Sequence, residues 1–444
     1  MTERAGHEDI WEILRAVLQR LDPRELVAKS LSLSENDLAI EGMSESLPVQ
    51  GKLVVVAFGK ASVPMATGAI DALGVRVSSA IAVTKAGIES PVAEPPAVLE
   101  IIESDHPVPT ERSLDAGRRV RELVEDLGPQ DTVLMLISGG GSALVEDLVY
   151  GITLDDLQQT TDHLLRAGAT INELNAVRRR ISKLKGGRLA TAAAPATVVN
   201  LIVSDVLNSP LQDIASGPTV NPPETDETFD SVMRRPDLVE DLPESVRKAL
   251  ESQRRRADEW HDNVHGSIVL ADAETAARAA LDAAVGLGYR VQTFGFDFQG
   301  EAREFGRTWA TIARHARRDQ HAFKKPLAMI GSGEMTVTVR GDGIGGRNTE
   351  MALAAAVEMA DTEGVTICSF ATDGDDGLSE CAGGIVDGSS LTELERAGID
   401  PLNSLSRNDS ASALRAISAE IDIGSTGTNV NDIYLALVSG DAPD

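Results

Sequence analysis

Ile10, Trp11, Ile13, Leu14, Val17, Leu18 and Leu21 recur every three or four residues, which predicts an amphipathic helix ended by Pro23. Farther on the pattern changes to short, continuous, β-branched apolar runs: LVVVAF at 53–58, TVLMLI at 132–137 and ATVVNLIVS at 196–204. Runs of this length without alternation mark strands buried on both faces of a parallel sheet. Each opens directly into small or charged residues, namely Gly59 and Lys60, then Ser138 to Ser142, then Asp205. A helical stretch from Thr110 to Leu127 precedes the second run, so strand and helix alternate and this half reads as an α/β layer with a largely parallel sheet. In such a sheet the groups at the strand ends converge on one edge.

Between about residues 221 and 262 the chain turns to proline, acid and arginine clusters (NPPETDETFD, RRPDLVEDLPESVRK, SQRRRADEW) without a buried run, as expected of a linker or a peripheral helical segment. Beyond it come SIVLAD at 267–272, an alanine-rich helix to Gly288, YRVQTF, and a helix through Arg318. LAMIGSGEMTVTVRG follows, with an alternation that fits a half-buried strand or hairpin. A helix from about Asn348 to Ala360, the strand VTICSFAT, a glycine-rich acidic loop at 371–388 and a strand near DIYLALVSG complete a second α/β unit.

Composition narrows the partners. Of 444 residues 69 are acidic and 41 basic, giving a formal charge of −28 and a pI near 4.6, so neither nucleic acid nor an anionic membrane is an expected partner. Only nine of the 41 basic residues are lysines, and an acid-rich, lysine-poor surface is of the halophilic type that a salt-rich cytoplasm favours. With 42% apolar and 3% aromatic residues the composition is globular, its core built from Val, Leu, Ile and Ala. Cys368 and Cys381 are too few for a structural zinc site or a secreted disulfide scaffold, which points to a reducing cytoplasm. No stretch reaches the roughly 18 uninterrupted apolar residues of a membrane span, and the first twenty residues lack an apolar leader core.

The strongest local chemistry is SGGGSA at 138–143, directly after a buried run. Three glycines leave backbone N–H groups unshielded, so Ser138, Gly139, Gly140, Gly141 and Ser142 can wrap a phosphate or carboxylate, helped by a following helix N-terminus; the plainer alternative is a tight turn. Lys60 sits just past the first run, where it suits a phosphate as well as it suits solvent. Asp205, at the third strand end, is placed to hold Mg²⁺ or to accept a proton from a substrate hydroxyl, or else to cap a helix. Arg347 in GGRNTE can grip an oxyanion bidentately or form a structural ion pair. The acidic loop holds Asp373, Asp375, Asp376 and Asp387 without matching a calcium loop, and fits a magnesium or ligand-binding loop better. His106, in ESDHPVP, is the one histidine placed to reach the strand-end edge. The residues alone describe a two-domain α/β enzyme acting on an anionic ligand.

AFGKAS, ESDHPVPTERSLDAGRRV, LISGGGSAL, INELNAVRRRISKLKGGRLA, IVSDVLNSPLQDIASGPT, GGRNTEMALAAA, ATDGDDG and TGTNVND, in this order and across nearly the whole chain, resemble the glycerate 2-kinases of the MOFRL type. The resemblance implies a Rossmann-like N-terminal domain at 1–235 and a smaller α/β C-terminal domain at 236–444, its MOFRL region at about 325–440, with the active site in the cleft between them. It implies ATP-dependent phosphorylation of the 2-hydroxyl of D-glycerate with Mg²⁺, small-molecule partners only, and a monomer or homodimer. Lys60 and Arg347 match the residues regarded as catalytic in that family. Asp205 and Asp373 are the competing choices for the metal, and Asp205 lies with the glycine loop in the nucleotide-binding set. The acidic loop departs from the family's usual DGxDGPTDAAG at Leu378, Glu380 and Cys381. A kinase for another 2-hydroxy acid is the runner-up reading, ahead of a catalytically silent metabolite-binding protein. A hydroxypyruvate reductase, a name the family has carried, needs a G-x-G-x-x-G fingerprint that AFGKAS does not supply.

Overall fold

Six strands form the first sheet: β1 (Leu53–Phe58), β2 (Val77–Lys85), β3 (Leu99–Ser104), β4 (Thr132–Ser138), β5 (Thr197–Val203) and β6 (Val264–Ala271). They lie in the order β3-β2-β1-β4-β5-β6, and β1 pairs in parallel with both β2 and β4. This is the dinucleotide-fold order, in which the chain reverses its direction of progress between the first and fourth strands and leaves a crevice at their carboxyl ends. The coordinates are a computed structural model describing residues 3–87, 94–220, 227–253, 261–319 and 323–440. β1 and β4 are buried along their whole length, as their unbroken apolar runs require, and the helix Glu111–Glu125 seals one face through Ala116, Val120 and Val124. Thr110 starts that helix with a reciprocal cap, accepting from the Arg112 N–H while Ser113 Oγ accepts from its own N–H at 3.1 Å. Residues 31–34, 37–40 and 47–48 add a small antiparallel sheet.

The second sheet comprises β7 (Arg290–Phe298), β8 (Leu327–Gly333), β9 (Val365–Ala371), β10 (Gly383–Asp387) and β11 (Asp432–Val438), in the order β7-β8-β11-β9-β10. Only β7 and β8 are parallel; β11 runs antiparallel between β8 and β9. The alanine-rich helix Arg347–Glu358 is buried among Trp309, Met329 and Ile367 because small side chains let it approach closely on several sides.

The compact units are residues 23–270 and residues 1–22 with 271–444. The boundary expected at 235/236 therefore falls at 270/271, because β6 hydrogen-bonds into the first sheet and takes the intervening helices with it. The segment expected as a linker forms helices Glu227–Val232, Pro236–Val239 and Glu244–Gln253, whose Phe229, Leu238, Val246 and Leu250 join a satellite core; 221–226 and 254–260 lie outside the described residues. The N-terminal helix Glu3–Arg20 belongs to the second unit, where His7 meets Asp387 at 2.9 Å and Asp9 accepts from the Tyr289 hydroxyl at 2.6 Å. Pro23 does end it, and also opens the next helix, Pro23–Ser30.

LAMIGSGEMTVTVRG is not a half-buried strand: its first seven residues form the fully buried β8 and the rest is loop apart from a single bridge at Thr336, so the alternation lies in loop residues. The acidic loop ends sooner than expected, since its last part, GGIVD, is β10. Among the described residues no helix is long and apolar enough to cross a membrane, and both cysteines are buried free thiols.

Lys185 and Glu146 form an ion pair at 2.5 Å inside the first unit, 2% and 1% exposed, with Ser182 Oγ donating to the second carboxylate oxygen. Removing one partner of such a pair leaves an uncompensated buried charge. We predict that Lys185→Met lowers unfolding stability by about 3–5 kcal/mol and that Lys185→Met with Glu146→Leu recovers most of it. Urea titration decides: a double variant as unstable as the single one would show that packing, not charge, is what the pair supplies.

Candidate active site

The reversal point between β1 and β4 gathers most of the expected groups. Leaving β1, the chain turns at Gly59, where a side chain would lie 2.2 Å from Ser138 Oγ. The Lys60 N–H then donates to the Gly139 carbonyl at 2.8 Å and the Ala61 N–H to Ser138 Oγ at 3.0 Å. The hydroxyl of Ser138 thus fixes the turn that carries Lys60, and its oxygen is spent on the backbone.

The three glycines of the loop answer three different neighbours. A Cβ on Gly139 would lie 2.0 Å from the Asp205 carboxylate, so Asp205 packs directly onto the loop. Gly140 has φ +82°, the left-handed region, and a Cβ there would meet the His106 ring at 3.2 Å and Cγ of Lys60 at 3.5 Å. Gly141 lies against Phe58 and Ala215. The helix that follows, Gly141–Leu144, is a single turn, too short for the helix-terminus assistance expected of it, though its first N–H groups still lack intrahelical acceptors. Ser142 Oγ lies 2.8 Å from Ser216 Oγ, whose proton goes to Asn175 Oδ1 at 3.2 Å. The sequence does not single out Ser216 and Asn175 as site residues; their signal lies in the IASGPT and INELNAV segments, legible only as parts of a motif. Burial, with the charges of Lys60 and Lys85 close by, pushes His106 down to about 4, so its imidazole is neutral at pH 7.

Arg347 and Asp373 stand in the other unit. Arg347 opens the helix Arg347–Glu358, and both readings of it meet here: its Nε and Nη2 grip the fully buried Asp432 at 2.5 and 3.1 Å, while Nη1 reaches Glu334 at 3.2 Å. Burial opposes its charge, but Asp432 and Glu334 more than compensate and hold it protonated above the ordinary arginine value. The guanidinium is thus aimed by Asp432 on one edge and held on the other by a half-exposed carboxylate. Asp376 is no surface ligand. It is buried and accepts from the Asn348 and Thr349 N–H groups at 2.9 and 2.8 Å, capping the helix that carries Arg347; burial lifts its carboxyl to about 6. Asp373 accepts from the Asp375 N–H at 3.1 Å. Leu378 is exposed and the buried Cys381 offers its carbonyl to the Asp376 N–H at 3.0 Å, so the altered loop keeps the cap.

Among the described residues no three His, Cys, Asp or Glu side chains cluster as a metal cage. Mg²⁺ keeps most of its coordination for water and phosphate and needs only one or two carboxylates. Asp205, a carboxylate at the loop itself, fits that requirement.

The architecture is that of an α/β protein with the dinucleotide-fold strand order, and Lys60, the glycine loop and Asp205 lie at the edge where that order reverses. A family model described as a domain of unknown function, DUF4147, matches residues 9–251, and the MOFRL family model matches residues 327–432. The chain is 40% identical over 420 residues to a D-glycerate 2-kinase of Thermotoga maritima, covering 93% of this chain and 97% of that protein. It is 37% identical over 441 residues to a glycerate 2-kinase of Pyrococcus horikoshii, covering 97% and 98%. A crystal structure of glycerate kinase from T. maritima superposes with a TM-score of 0.84 at 37% identity, covering 97% of this chain and 99% of that one. The chain belongs to the MOFRL-type glycerate kinase family.

The lowered His106 value has a measurable consequence. Between about pH 6.5 and 4 the unfolded chain binds a proton that the folded chain refuses, so stability falls as pH drops through that window and is unaffected above it. We predict that His106→Asn removes a loss of about 1–2 kcal/mol between those pH values, the partial exposure of the ring screening the rest. Parallel stability–pH curves for the two proteins would show instead that the ring titrates normally.

Proposed function

We propose that this protein transfers the γ-phosphoryl group of ATP to the 2-hydroxyl of D-glycerate, giving 2-phosphoglycerate, in a reducing cytoplasm. The observation that carries the reading is the edge at the β1/β4 reversal. Lys60, the glycine loop and Asp205 occupy it, and the turn after β1 holds Gly59 and Lys60 in place of a dinucleotide fingerprint, which disfavours a nicotinamide-dependent reductase.

Phosphoryl transfer asks little covalent chemistry of a protein; it asks for in-line positioning and for positive charge where the transferred group carries negative charge. Lys60 supplies one such charge on a backbone pinned to the loop. Arg347 supplies another, its Nη1 exchanging Glu334 for an oxyanion while Asp432 keeps the guanidinium aimed. The N–H groups of Gly140, Gly141 and Ser142 serve the anionic oxygens. Bound Mg²⁺ would neutralise phosphate charge, held by Asp205, with Asp373 the competing ligand. Gly139 and Gly140 yield their side-chain space to Asp205 and His106, which brings both side chains onto the loop.

Lys60→Ala and Arg347→Ala are each expected to lower kcat at least about a hundredfold with the fold intact. Near-normal turnover in either would remove that residue from the chemistry. The reaction itself is tested by ATP, D-glycerate and Mg²⁺ with the product fed to enolase: signal without a mutase means 2-phosphoglycerate, signal only with a mutase means the 3-hydroxyl, and no ADP means another acceptor.

A further inference from the structure

We propose that His106 is the general base of this reaction, taking the proton of the acceptor hydroxyl as phosphate is transferred. The inference rests on the kinase reading above and adds to it a residue for the proton, which neither Lys60 nor Arg347 can accept while charged.

The geometry begins at Gly140. The Cδ2–Nε2 edge of the His106 ring and the stem of Lys60 converge on the one point that a side chain of Gly140 would occupy, at 3.2, 3.3 and 3.5 Å. His106 is therefore held, half-buried, over the middle of the glycine loop and beside the stem of Lys60. Among the described residues its ring makes no hydrogen bond. The neighbouring acid is otherwise engaged: Asp105 accepts from Thr110 Oγ1 at 2.6 Å and lies 3.9 Å from Arg112. The charged groups that bear on the ring are Lys60 and Lys85, and burial adds to their effect, so a lone pair is available at neutral pH. Asp205 packs on the adjacent Gly139, which leaves the ring to serve the hydroxyl and the carboxylate to serve the metal.

The step balances without a further reactant. The glycerate 2-oxygen forms its bond to the γ-phosphorus, the bond from that phosphorus to the β-bridging oxygen breaks, and ADP leaves with the electron pair. The hydroxyl proton goes to a ring nitrogen of His106, and the anionic ligands alongside Lys60 make the ring more basic than in the empty protein. Lys60 remains charged throughout.

The test uses the full chain with ATP and D-glycerate as substrates. His106→Ala and the polar His106→Gln are expected to lose about a hundredfold to ten-thousandfold in kcat, with KM for both substrates within about threefold. Added imidazole should restore turnover in His106→Ala, and across substituted imidazoles the restored rate should rise with their basicity. A merely structural role would give rescue indifferent to basicity. Loss below about tenfold in both variants, loss carried by KM, or rescue absent or ungraded overturns the assignment. Wild-type protein is assayed alongside: if it turns over glycerate while the variants match it, only His106 is wrong, and if wild type releases no glycerate-dependent ADP, the kinase reading falls and this inference with it.

Discussion

The rest of the site depends on how closely two strand ends approach. Gly59 leaves β1 within 2.2 Å, measured from an added Cβ, of the Ser138 hydroxyl that ends β4, and the Lys60 N–H is bonded to the Gly139 carbonyl. No side chain other than hydrogen fits at Gly59, and only this fit allows the Lys60 backbone and the triple-glycine loop to be one rigid piece. Rigidity matters because charge stabilisation in phosphoryl transfer is effective only when donors and cations are already in place. A lysine on a mobile loop would spend binding energy on being ordered. Here the ordering is done by the sheet, whose two central strands are buried on both faces.

The second unit orders its cation by another route. Arg347 stands at the start of a helix that two devices fix: the buried Asp376 carboxylate caps its first N–H groups, and Asp432, entering β11, takes two guanidinium nitrogens. Asp432 is itself buried, so the pair exists at a cost in desolvation that its bidentate geometry offsets. What the arrangement secures is direction. With Nε and Nη2 committed, Nη1 is the side offered outward, and the carboxylate it meets, Glu334, is the more exposed of its two partners.

Much of this was legible in the sequence, and the part that was not has a physical reason. Continuous apolar runs identified β1, β4 and β5 because doubly buried parallel strands leave no alternation to misread. β10 was missed because its residues, GGIVD, look like the end of a glycine-rich loop and become a strand only through pairing with β9. The compact units part at 270/271 for the same kind of reason: β6 lies after the proline and arginine clusters, yet its hydrogen bonds are long-range and pull it into the first sheet. At the site, Lys60, the glycines and Asp205 were visible as strand-end residues. The burial of Asp376 was not, since five neighbouring glycines and acids read as solvent-facing, and nothing local says that one carboxylate turns inward to cap a helix.

The strand order also explains how one topology can serve two chemistries. A dinucleotide enzyme uses the first turn after β1 for a pyrophosphate, and its glycines there let the backbone come close to that anion. In this protein that turn carries Lys60, and the glycine-rich segment has moved to the end of β4, the other side of the same reversal. Lys60 and the glycine loop therefore meet at the one reversal, where Cγ of Lys60 lies 3.5 Å from the point a side chain of Gly140 would occupy. The proposed phosphoryl transfer uses that placement, a cation and a backbone loop at one strand-end edge, and strand order alone does not dictate the ligand.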